Sequence, residues 1–391
     1  MSIGAYVGIN GKAREITGGY VGVNGKARDI TKAYVGIGGK ARPFWSLEPI
    51  EYYGTIEVST PRQYAAATTL GDYALFSDDV GAGILDVVDS SLTVLTRNFR
   101  LEGIGLPYTS ATTIGNTAVF AGGGNGANVY RHAVIVNASM TAQLASNFLS
   151  NARTMGAAAT LTKKDLSQVG VFAGGLYQQG TGPASSPSAL IDLYNESLTR
   201  TNAGMSIPRA LFAATALGSG VIIGGGYSYP FADETDLVDF INDSGTVSSN
   251  IEPLSNSVEM NAASSCNINV GLPFPRNAVF FGGWNVREDA DTYAPPTIYN
   301  TSLSCSVIDI DPISVWQHGA AAVNGYSIFA GGTNESIFNG MDAFYFNHDS
   351  ATFTHGAPLS QGLAMPAATA VGNYILFGGG NSPTIDVYKV M

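Results

Sequence analysis

The feature that most constrains the fold of this chain is a unit of about 50 residues that recurs seven times between residues 50 and 391. In each copy a run of small residues leads through a turn to an apolar run that ends in Gly-Gly. Residues 110–123 (SATTIGNTAVFAGG) and 320–332 (AAAVNGYSIFAGG) are two of these copies. A further apolar run follows after a loop of variable length, as in LIDLYN at residues 190–195. Seven such units are typical of four-stranded blades set around a central channel.

The residue types predict where each strand lies. Ala and Thr suit an innermost strand, where seven strands converge, whereas a continuous Val, Ile and Phe run suits a strand that is covered on both faces. The terminal Gly-Gly suits a point where neighbouring blades leave no room for a Cβ atom. Blade 1 departs from this pattern, because Ser77-Asp78 replaces Gly-Gly. The pattern resembles the Kelch motif, and we therefore predict an all-β chain with a seven-bladed Kelch-like β-propeller over residues 50–391.

The two ends of the propeller are predicted to pair. The last copy ends with IDVYKV at residues 385–390 and has no fourth strand behind it. A strand-like run, YYGTIEV at residues 52–58, precedes the first copy. Pairing residues 52–58 with the last blade would remove two edge strands at once and close the ring.

A shorter repeat of fourteen residues fills the front of the chain, at residues 6–19, 20–33 and 34–47. Each copy has a Tyr-Val-Gly run, then Asn-Gly or Gly-Gly, then Lys-Ala-Arg. Asn-Gly and Gly-Gly supply the two positive-φ residues of a type I′ turn, so three β-hairpins are predicted over residues 1–47. A hairpin this short cannot bury an apolar face alone, so the three must stack on one another, on the propeller or on other chains.

These YVGVNGKAR-type repeats, which end in Arg-Pro-Phe-Trp, resemble the leading segments of tail and receptor-binding proteins of phages and prophages of Gram-positive bacteria. The resemblance implies that residues 1–47 attach the chain to other tail or baseplate subunits, or oligomerise it. A homotrimer is the expectation from the habits of fibre proteins. The chain would then belong to a virion or a tail-like particle and act outside the producing cell, at the bacterial surface. A rigid stacked spacer with no partner of its own is the alternative.

Charge and composition exclude several classes of partner. The net charge is -11, of which residues 1–45 contribute +5 and the remainder -16. Because the remainder is this acidic, it repels phosphate backbones, and we expect no nucleic acid partner. The Lys-x-Arg pairs of the hairpins are interpreted as a solvated strand face. No apolar run reaches membrane-spanning length, and the first twenty residues are not signal-like. We expect no membrane insertion and synthesis in the cytoplasm without a signal peptide. Cys266 and Cys305 are interpreted as buried free thiols.

Long loops of varying length are predicted to share one face of the disc, at residues 176–189, 226–236, 284–296 and 333–341. Exposed aromatic rings pack on the apolar faces of sugars, while carboxylates and amides bind their hydroxyls. We therefore predict that this face binds a bacterial surface glycan; packing of the same aromatics onto the rim is the alternative. The candidate ligand-binding residues of these loops are Tyr177, Tyr227, Tyr229, Trp284, Tyr293, Asp291 and Asn334.

Three arginines complete the predicted ligand-binding set. Arg62, Arg153 and Arg209 stand close to the start of an innermost strand, which predicts a place at the channel mouth and a role in holding an anionic group. The alternative is that each ties down a neighbouring blade through backbone carbonyls. Two acidic stretches, at residues 233–236 and 288–291, could bind calcium, although their spacing matches no defined loop motif. No other cofactor is expected.

For catalysis the sequence offers little. The four histidines, His132, His318, His348 and His355, stand in no nucleophile-elbow or metal-ligand pattern. The Tyr, His and Cys set of a copper oxidase of the galactose oxidase type cannot be assembled. We therefore predict a non-enzymatic receptor-binding protein. The alternatives are a glycan-cleaving tail enzyme that uses paired loop carboxylates and a structural tail protein that binds other proteins.

Overall fold

The structure of the chain, a computed structural model, describes residues 6–9, 12–15, 20–23, 26–29, 32–37, 40–46, 49–77, 84–98, 107–124, 128–178, 184–228, 233–266, 274–284, 295–310, 316–333 and 340–391. Every regular element within these ranges is a β-strand. No helix in them is long and apolar enough to cross a membrane.

Four antiparallel strands, named a to d from the channel outwards, form each blade. Strands a are Ala67–Leu70, Ser110–Ile114, Ala157–Thr162, Ala213–Leu217, Ala262–Ser265, Gly319–Val323 and Ala367–Val371. Strands b are Tyr73–Ser77, Thr117–Ala121, Gln168–Ala173, Gly220–Gly224, Asn277–Phe281, Tyr326–Ala330 and Tyr374–Gly378. Strands c are Ile84–Asp89, Ala133–Asn137, Ala184–Asn195, Val238–Ile241, Thr297–Asn300, Ala343–Asn347 and Ser382–Val390. Strands d are Val94–Asn98, Ala142–Ala145, Arg200–Ala210, Val247–Ser248, Cys305–Val307, Thr352–His355 and Ile50–Arg62.

Seven blades close into a ring, as the repeat predicts. Six of them are separate four-stranded sheets. Blade 3 lies within an eight-stranded sheet, because its strand c also pairs with Leu176–Gln178 and its strand d with Tyr227–Ser228. These two short strands pair in turn with Arg153–Thr154 and Asp233–Glu234. Each strand a contacts the strand a of the next blade, and the last returns to the first. Seven hydrophobic clusters lie in the described core, each shared by two neighbouring blades. The prediction of a seven-bladed β-propeller is confirmed.

The antiparallel order gives the disc two different faces. The d-to-a connections and the b-to-c loops lie on one face, named here the loop face; the a-to-b and c-to-d hairpins lie on the other, the turn face. The c-to-d hairpins share one turn chemistry. In blade 3 the Asn195 Oδ1 atom accepts the N–H groups of Ser197 at 3.0 Å and Thr199 at 2.9 Å, and Leu198 adopts φ +56°. An Asn side chain that binds the backbone ahead of it favours this turn over a longer strand.

Strand d of blade 7 comes from the front of the propeller sequence. Ile50–Arg62 pairs antiparallel with Ser382–Val390, with Ile50 opposite Val390. The Val390 N–H donates to the Asn373 carbonyl in the a-to-b turn of the same blade at 2.8 Å. The Met391 N–H donates to the Pro49 carbonyl at 2.9 Å. The chain therefore enters the disc at Pro49, on the turn face and beside Met391.

The Gly-Gly pairs lie where neighbouring blades meet. In blade 3 a Cβ atom on Gly174 would lie 2.6 Å from the carbonyl oxygen of Arg209, and one on Gly175 would lie 2.5 Å from that of Thr154. The Gly175 N–H donates at 2.9 Å to the carbonyl of Arg209, which lies near the end of strand d, where the chain passes from blade 3 into blade 4. Only a residue without a Cβ allows this approach. The same inter-blade bond recurs from Gly123 to Arg153, Gly226 to Val258 and Gly332 to Leu363.

Residues 6–46 form three two-stranded antiparallel sheets. Their strands are Tyr6–Ile9 with Lys12–Glu15, Tyr20–Val23 with Lys26–Asp29, and Lys32–Ile37 with Lys40–Ser46. The turn residues 10–11, 24–25 and 38–39 lie outside the described residues, so the type I′ turns stay a prediction. Both cysteines are free. Cys266 is buried, but Cys305 is only half-buried, because it lies on the outermost strand of its blade, which has no further strand beside it.

Candidate binding site on the loop face

The three predicted anion-binding arginines are buried, which corrects their assignment to the channel mouth. Arg62, Arg153 and Arg209 are 1%, 3% and 0% exposed. The Arg153 guanidinium donates to the Asp192 carboxylate at 2.7 Å and to the Phe172 carbonyl at 3.0 Å. Burial lowers the pKa of Arg153, and the Asp192 charge opposes that shift. A guanidinium that is already paired inside a blade is not available to an anionic ligand, so the structural alternative describes these residues.

The same arrangement is built three times. Arg62, at the end of strand d of blade 7, pairs with Asp86 of blade 1, and Arg209, near the end of strand d of blade 3, pairs with Asp239 of blade 4. Both aspartates are fully buried on strand c. A serine three residues before each arginine adds hydrogen bonds from its N–H and hydroxyl to the same carboxylate; these are Ser59, Ser150 and Ser206. The arginine carbonyl meanwhile accepts an N–H group from the blade that precedes the aspartate's blade, as Arg153 does from Gly123 at 3.0 Å. Each unit therefore joins two blades.

A ring of seven bulky residues surrounds the channel axis on the loop face. Each stands two or three residues before a strand a, is half-buried, and adopts a positive φ between +49° and +61°. Non-glycine residues rarely adopt this conformation, which costs on the order of 1 kcal/mol each. The members of this ring are Tyr64, Tyr108, Met155, Leu211, Met260, Gln317 and Met365. Because every blade has one such residue, the backbone strain is a feature of the fold and does not indicate a contact with a ligand.

Hydrogen bonds between ring members explain the unusual backbone. The N–H of Tyr108 donates to the Tyr64 carbonyl at 3.0 Å, and the N–H of Met155 donates to the Tyr108 carbonyl at 3.3 Å. Leu211, Met260 and Gln317 continue the series with the carbonyl of the preceding member. A positive φ turns each N–H towards the neighbouring blade, so these bonds offset the conformational cost. They also occupy backbone groups that a ligand could otherwise use.

The ring encloses a cavity of about 460 Å³, named here the axial cup. Its lining combines the seven ring residues with the residue that follows each of them, namely Ala65, Thr109, Gly156, Phe212, Asn261, His318 and Pro366. Tyr64 and Tyr108 stack at a centroid distance of 4.1 Å, and burial, followed by the Tyr64 hydrogen bond, raises the pKa of Tyr108. No charged side chain is part of this described lining. The volume and apolar character are those of a small-molecule site.

The channel beneath the cup differs in chemistry. Ala, Thr and Ser side chains of the strands a line a cavity of about 510 Å³. Their hydroxyls bond between blades, as between Thr112 and Thr160 at 2.6 Å and from Thr215 to Ser265 at 2.9 Å. Small polar side chains therefore tie the strands a together around the axis.

Two tryptophans form an aromatic platform beside the cup. Trp284 and Trp316 lie with their ring centroids 6.0 Å apart and their planes 27° apart, and both are half-buried. Trp316 directly precedes the ring member Gln317. Trp284 exchanges two backbone hydrogen bonds, at 2.8 and 2.9 Å, with Glu259, the residue before the ring member Met260. The two tryptophans therefore lie next to the ring members of blades 5 and 6 along the chain or through backbone hydrogen bonds.

Glu259 is a buried carboxyl group between these features. It is 5% exposed, and burial, followed by the charge of Glu234, raises its pKa to about 7. Glu234 lies in the short hairpin that pairs Tyr227 with Glu234. Near neutral pH Glu259 therefore exists in both the protonated and the ionised form.

The predicted loop residues fall into two groups. Tyr177, Tyr227 and Trp284 are half-buried on the loop face and belong to blades 3, 4 and 5. Of these, only Trp284 joins a second aromatic ring in the described structure. Tyr229, Tyr293, Asp291 and Asn334 lie outside the described residues, and so does the acidic stretch 288–291. The described residues contain no group of three or more His, Cys, Asp or Glu side chains that could hold a metal ion.

Sequence reasoning missed the ring, the platform partner Trp316 and the three aspartates. A signal for the ring was present: a bulky residue precedes each run of small residues at a nearly constant offset. A signal for the aspartates was present too, since Ser-x-x-Arg occurs before three blades whose strand c carries an Asp, as in LIDLYN.

No family model and no curated protein matches this sequence. Solved structures do share its fold. A fungal alcohol oxidase of the AA5 family, solved in complex with copper, aligns with a TM-score of 0.61 at 11% identity, over 88% of this chain and 77% of that one. A protein named YjhT aligns with a TM-score of 0.59 at 12% identity, over 77% of this chain and 99% of that one. Identities this low show a common β-propeller fold alone.

The copper of the oxidase raises the question of whether this cup could hold one. Its described lining offers the phenols of Tyr64 and Tyr108 and one imidazole, His318. The His318 ring packs edge-on against Phe281 at 5.1 Å and Phe329 at 5.9 Å, and burial lowers its pKa to about 4. No second imidazole, thiol or carboxylate joins them in the described lining. These residues do not fit a copper centre.

Proposed function

We propose that this chain is a receptor-binding subunit of a phage tail or tail-like particle, and that its loop face binds a glycan on the surface of Gram-positive bacteria. The observation that carries the proposal is the axial cup with its adjoining tryptophan platform, a concave surface of about 460 Å³ beside stacked indoles. Aromatic and apolar walls with a few amides and hydroxyls suit the ring faces and hydroxyls of sugars.

The way the chain enters the disc supports the same function. The hairpin repeats join the propeller at Pro49, on the turn face, whereas the cup opens on the loop face. An attachment through residues 1–47 to other tail or baseplate subunits, in a trimer or another symmetric assembly, leaves the loop face free for a cell surface. The resemblance of the repeats to phage tail segments supplies the expected setting, a particle that acts at the bacterial surface.

Binding of the purified chain to intact cells tests this function. A panel of Gram-positive strains is compared before and after removal of their wall glycans. We expect selective binding that is lost with the glycan and falls at least tenfold in Trp284→Ala and Trp316→Ala. The matched control is Tyr53→Ala, since Tyr53 is a 54% exposed aromatic on the outermost strand of blade 7. Absence of binding to every strain would contradict the proposal and favour a structural tail protein.

Glycan cleavage is a second candidate, favoured by one observation. Glu259 is a buried acid whose pKa is raised to about 7, and a second carboxylate, Glu234, contributes to that shift. Paired carboxyl groups with unlike environments are the usual machinery of glycoside hydrolysis. Release of reducing sugar from host polysaccharide, abolished in Glu259→Gln, would establish this activity. Binding without any release would leave the chain a receptor-binding protein.

A further inference from the structure

The axial cup has features that restrict its ligand more closely than the proposed function does. We propose that the cup receives the terminal residue of an uncharged glycan, and that this residue carries a methyl group, as 6-deoxyhexoses and N-acetylhexosamines do. The proposal rests on the glycan binding proposed above and adds the chemistry and the direction of the bound chain.

The lining of the cup argues for an uncharged ligand. None of its described residues carries a charge, and the arginines near the axis are already paired with buried aspartates. The nearest acidic neighbour in sequence, Glu259, is itself buried. A phosphate or carboxylate that entered this cup would lose water without gaining a cation, which is unfavourable.

The ring chemistry argues for a methyl group. Five ring carbonyls, those of Tyr64, Tyr108, Met155, Leu211 and Met260, accept the N–H of the next ring member. The rim therefore presents mainly thioether, aliphatic and aromatic side chains. Methionine side chains adapt their shape to small apolar groups. A sugar hydroxyl pressed against them would have no partner, whereas a methyl group at that place is stabilised by burial.

The position of the cup argues for the end of a chain. Its rim has one residue from each of the seven blades, so the ligand is surrounded on every side of the axis. An internal residue of a polysaccharide continues in two directions and could not be enclosed in this way. The platform gives the direction of exit, since Trp316 adjoins Gln317 and Trp284 pairs with the residue next to Met260. The second sugar is expected to stack there.

Two matched pairs of sugars test the ligand chemistry with the full chain. Dissociation constants are measured by NMR titration for N-acetyl-D-glucosamine against D-glucose, and for 6-deoxy-D-glucose against D-glucose, since D-glucose carries no methyl group. We expect the methyl-bearing sugar to bind about fourfold tighter in at least one pair, as burial of one methyl group implies. A preference within one pair alone identifies which group supplies the methyl.

Two methionine variants locate the effect. Met155→Gln, in the ring, is expected to abolish the preference. Met140→Gln is the control, because Met140 is also half-buried with a positive φ, of 55°, but lies in a c-to-d hairpin on the turn face. Equal affinities within both pairs, or a preference that Met155→Gln leaves unchanged, would overturn the inference. If cells still bind through Trp284 in that case, the proposed function stands; if no cell or polysaccharide binds, both fail.

Discussion

The propeller blades contain buried aspartates that pair with an arginine and one, Asp386, that does not, and their contributions to stability can be compared. Asp192 accepts hydrogen bonds from Arg153, Ser150 and Asn202. Asp386, at the same place on strand c of blade 7, is also fully buried, but Leu363 stands where blades 1, 3 and 4 have their arginine. Asp386 accepts bonds from the Tyr52 hydroxyl at 2.7 Å and the Ser360 N–H at 2.8 Å, both through Oδ1.

We expect the two aspartate-to-asparagine changes to differ strongly. Asp192→Asn leaves the Arg153 charge buried without a counter-ion and should lower the free energy of unfolding by about 3 kcal/mol. Asp386→Asn replaces a buried carboxyl group that has no ion-pair partner among the described residues, so the free energy of unfolding should change by no more than about 1 kcal/mol. Urea unfolding of the two variants and of the parent chain measures both differences in the free energy of unfolding. Equal losses would show that the arginine pairing is not what stabilises the blades.

Glu259 predicts a pH dependence of stability with a definite sign. Its pKa is raised from 4.5 to about 7 on folding, so the unfolded chain ionises first as pH rises. As pH rises, this difference lowers the free energy of unfolding. The decrease begins near pH 4.5, is complete above pH 7 and amounts to about 3 kcal/mol. Glu259→Gln should be relatively more stable at pH 8 than at pH 4.

Thermal unfolding of Glu259→Gln and of the parent at both pH values measures this difference. Glu57→Gln, an exposed position on strand d of blade 7, serves as the control and should follow the parent. A constant difference between Glu259→Gln and the parent from pH 4 to pH 8 would mean that Glu259 is not desolvated as the structure has it.

At the scale of the strand and turn, Gly-Gly is the element that allows blades to meet, and a pair of glycines isolates that role. Gly174 and Gly71 have nearly the same φ, +52° and +57°. A Cβ atom on Gly174 would lie 2.6 Å from the Arg209 carbonyl oxygen, while nothing lies within 4 Å of one on Gly71. Gly71→Ala should cost about 1 kcal/mol, the conformational term alone.

Gly174→Ala should cost at least about 3 kcal/mol, because the backbone at Arg209 and the ring of Phe212, where the chain passes from blade 3 into blade 4, must also move away from the new atom. Equilibrium unfolding of the two variants gives the comparison directly. Similar losses of unfolding free energy would mean that the junction between blades 3 and 4 can move to accept a Cβ atom. The Gly-Gly pair would then be needed only for its backbone conformation.

The elements differ in how far their sequence reveals them. Strands a and b could be predicted because residue type alone indicates how a strand is buried, and runs of small and bulky residues alternate along each blade. The arginines were misplaced because Asp86, Asp192 and Asp239 lie 24 to 39 residues further along the chain, on another strand. The ring was missed because nothing in a Tyr, Met or Leu side chain indicates a positive φ. At five of the seven positions this φ accompanies a hydrogen bond from the residue's N–H to the ring member of the preceding blade.

At the scale of the whole molecule, the front of the chain has two parts with different roles. Ile50–Arg62 closes the propeller, whereas the hairpin strands before it belong to no blade. A variant lacking residues 1–48 keeps this strand and should retain the propeller's unfolding temperature. One lacking residues 1–62 exposes the edge of Ser382–Val390 and should aggregate or unfold well below it. Circular dichroism and size-exclusion chromatography compare the two. A stable, monodisperse product of the longer deletion would show that the closing pair is dispensable.

The central claim, that the loop face holds the glycan, can be tested through the three tryptophans of the chain, Trp45, Trp284 and Trp316. The measurement is a fluorescence titration of the full chain with polysaccharide released from a strain that it binds. The account predicts a saturable change in emission that persists in Trp45→Phe and disappears when Trp284 and Trp316 are both replaced by Phe. Binding that leaves the emission of both platform residues unchanged, or that alters Trp45 alone, would contradict it.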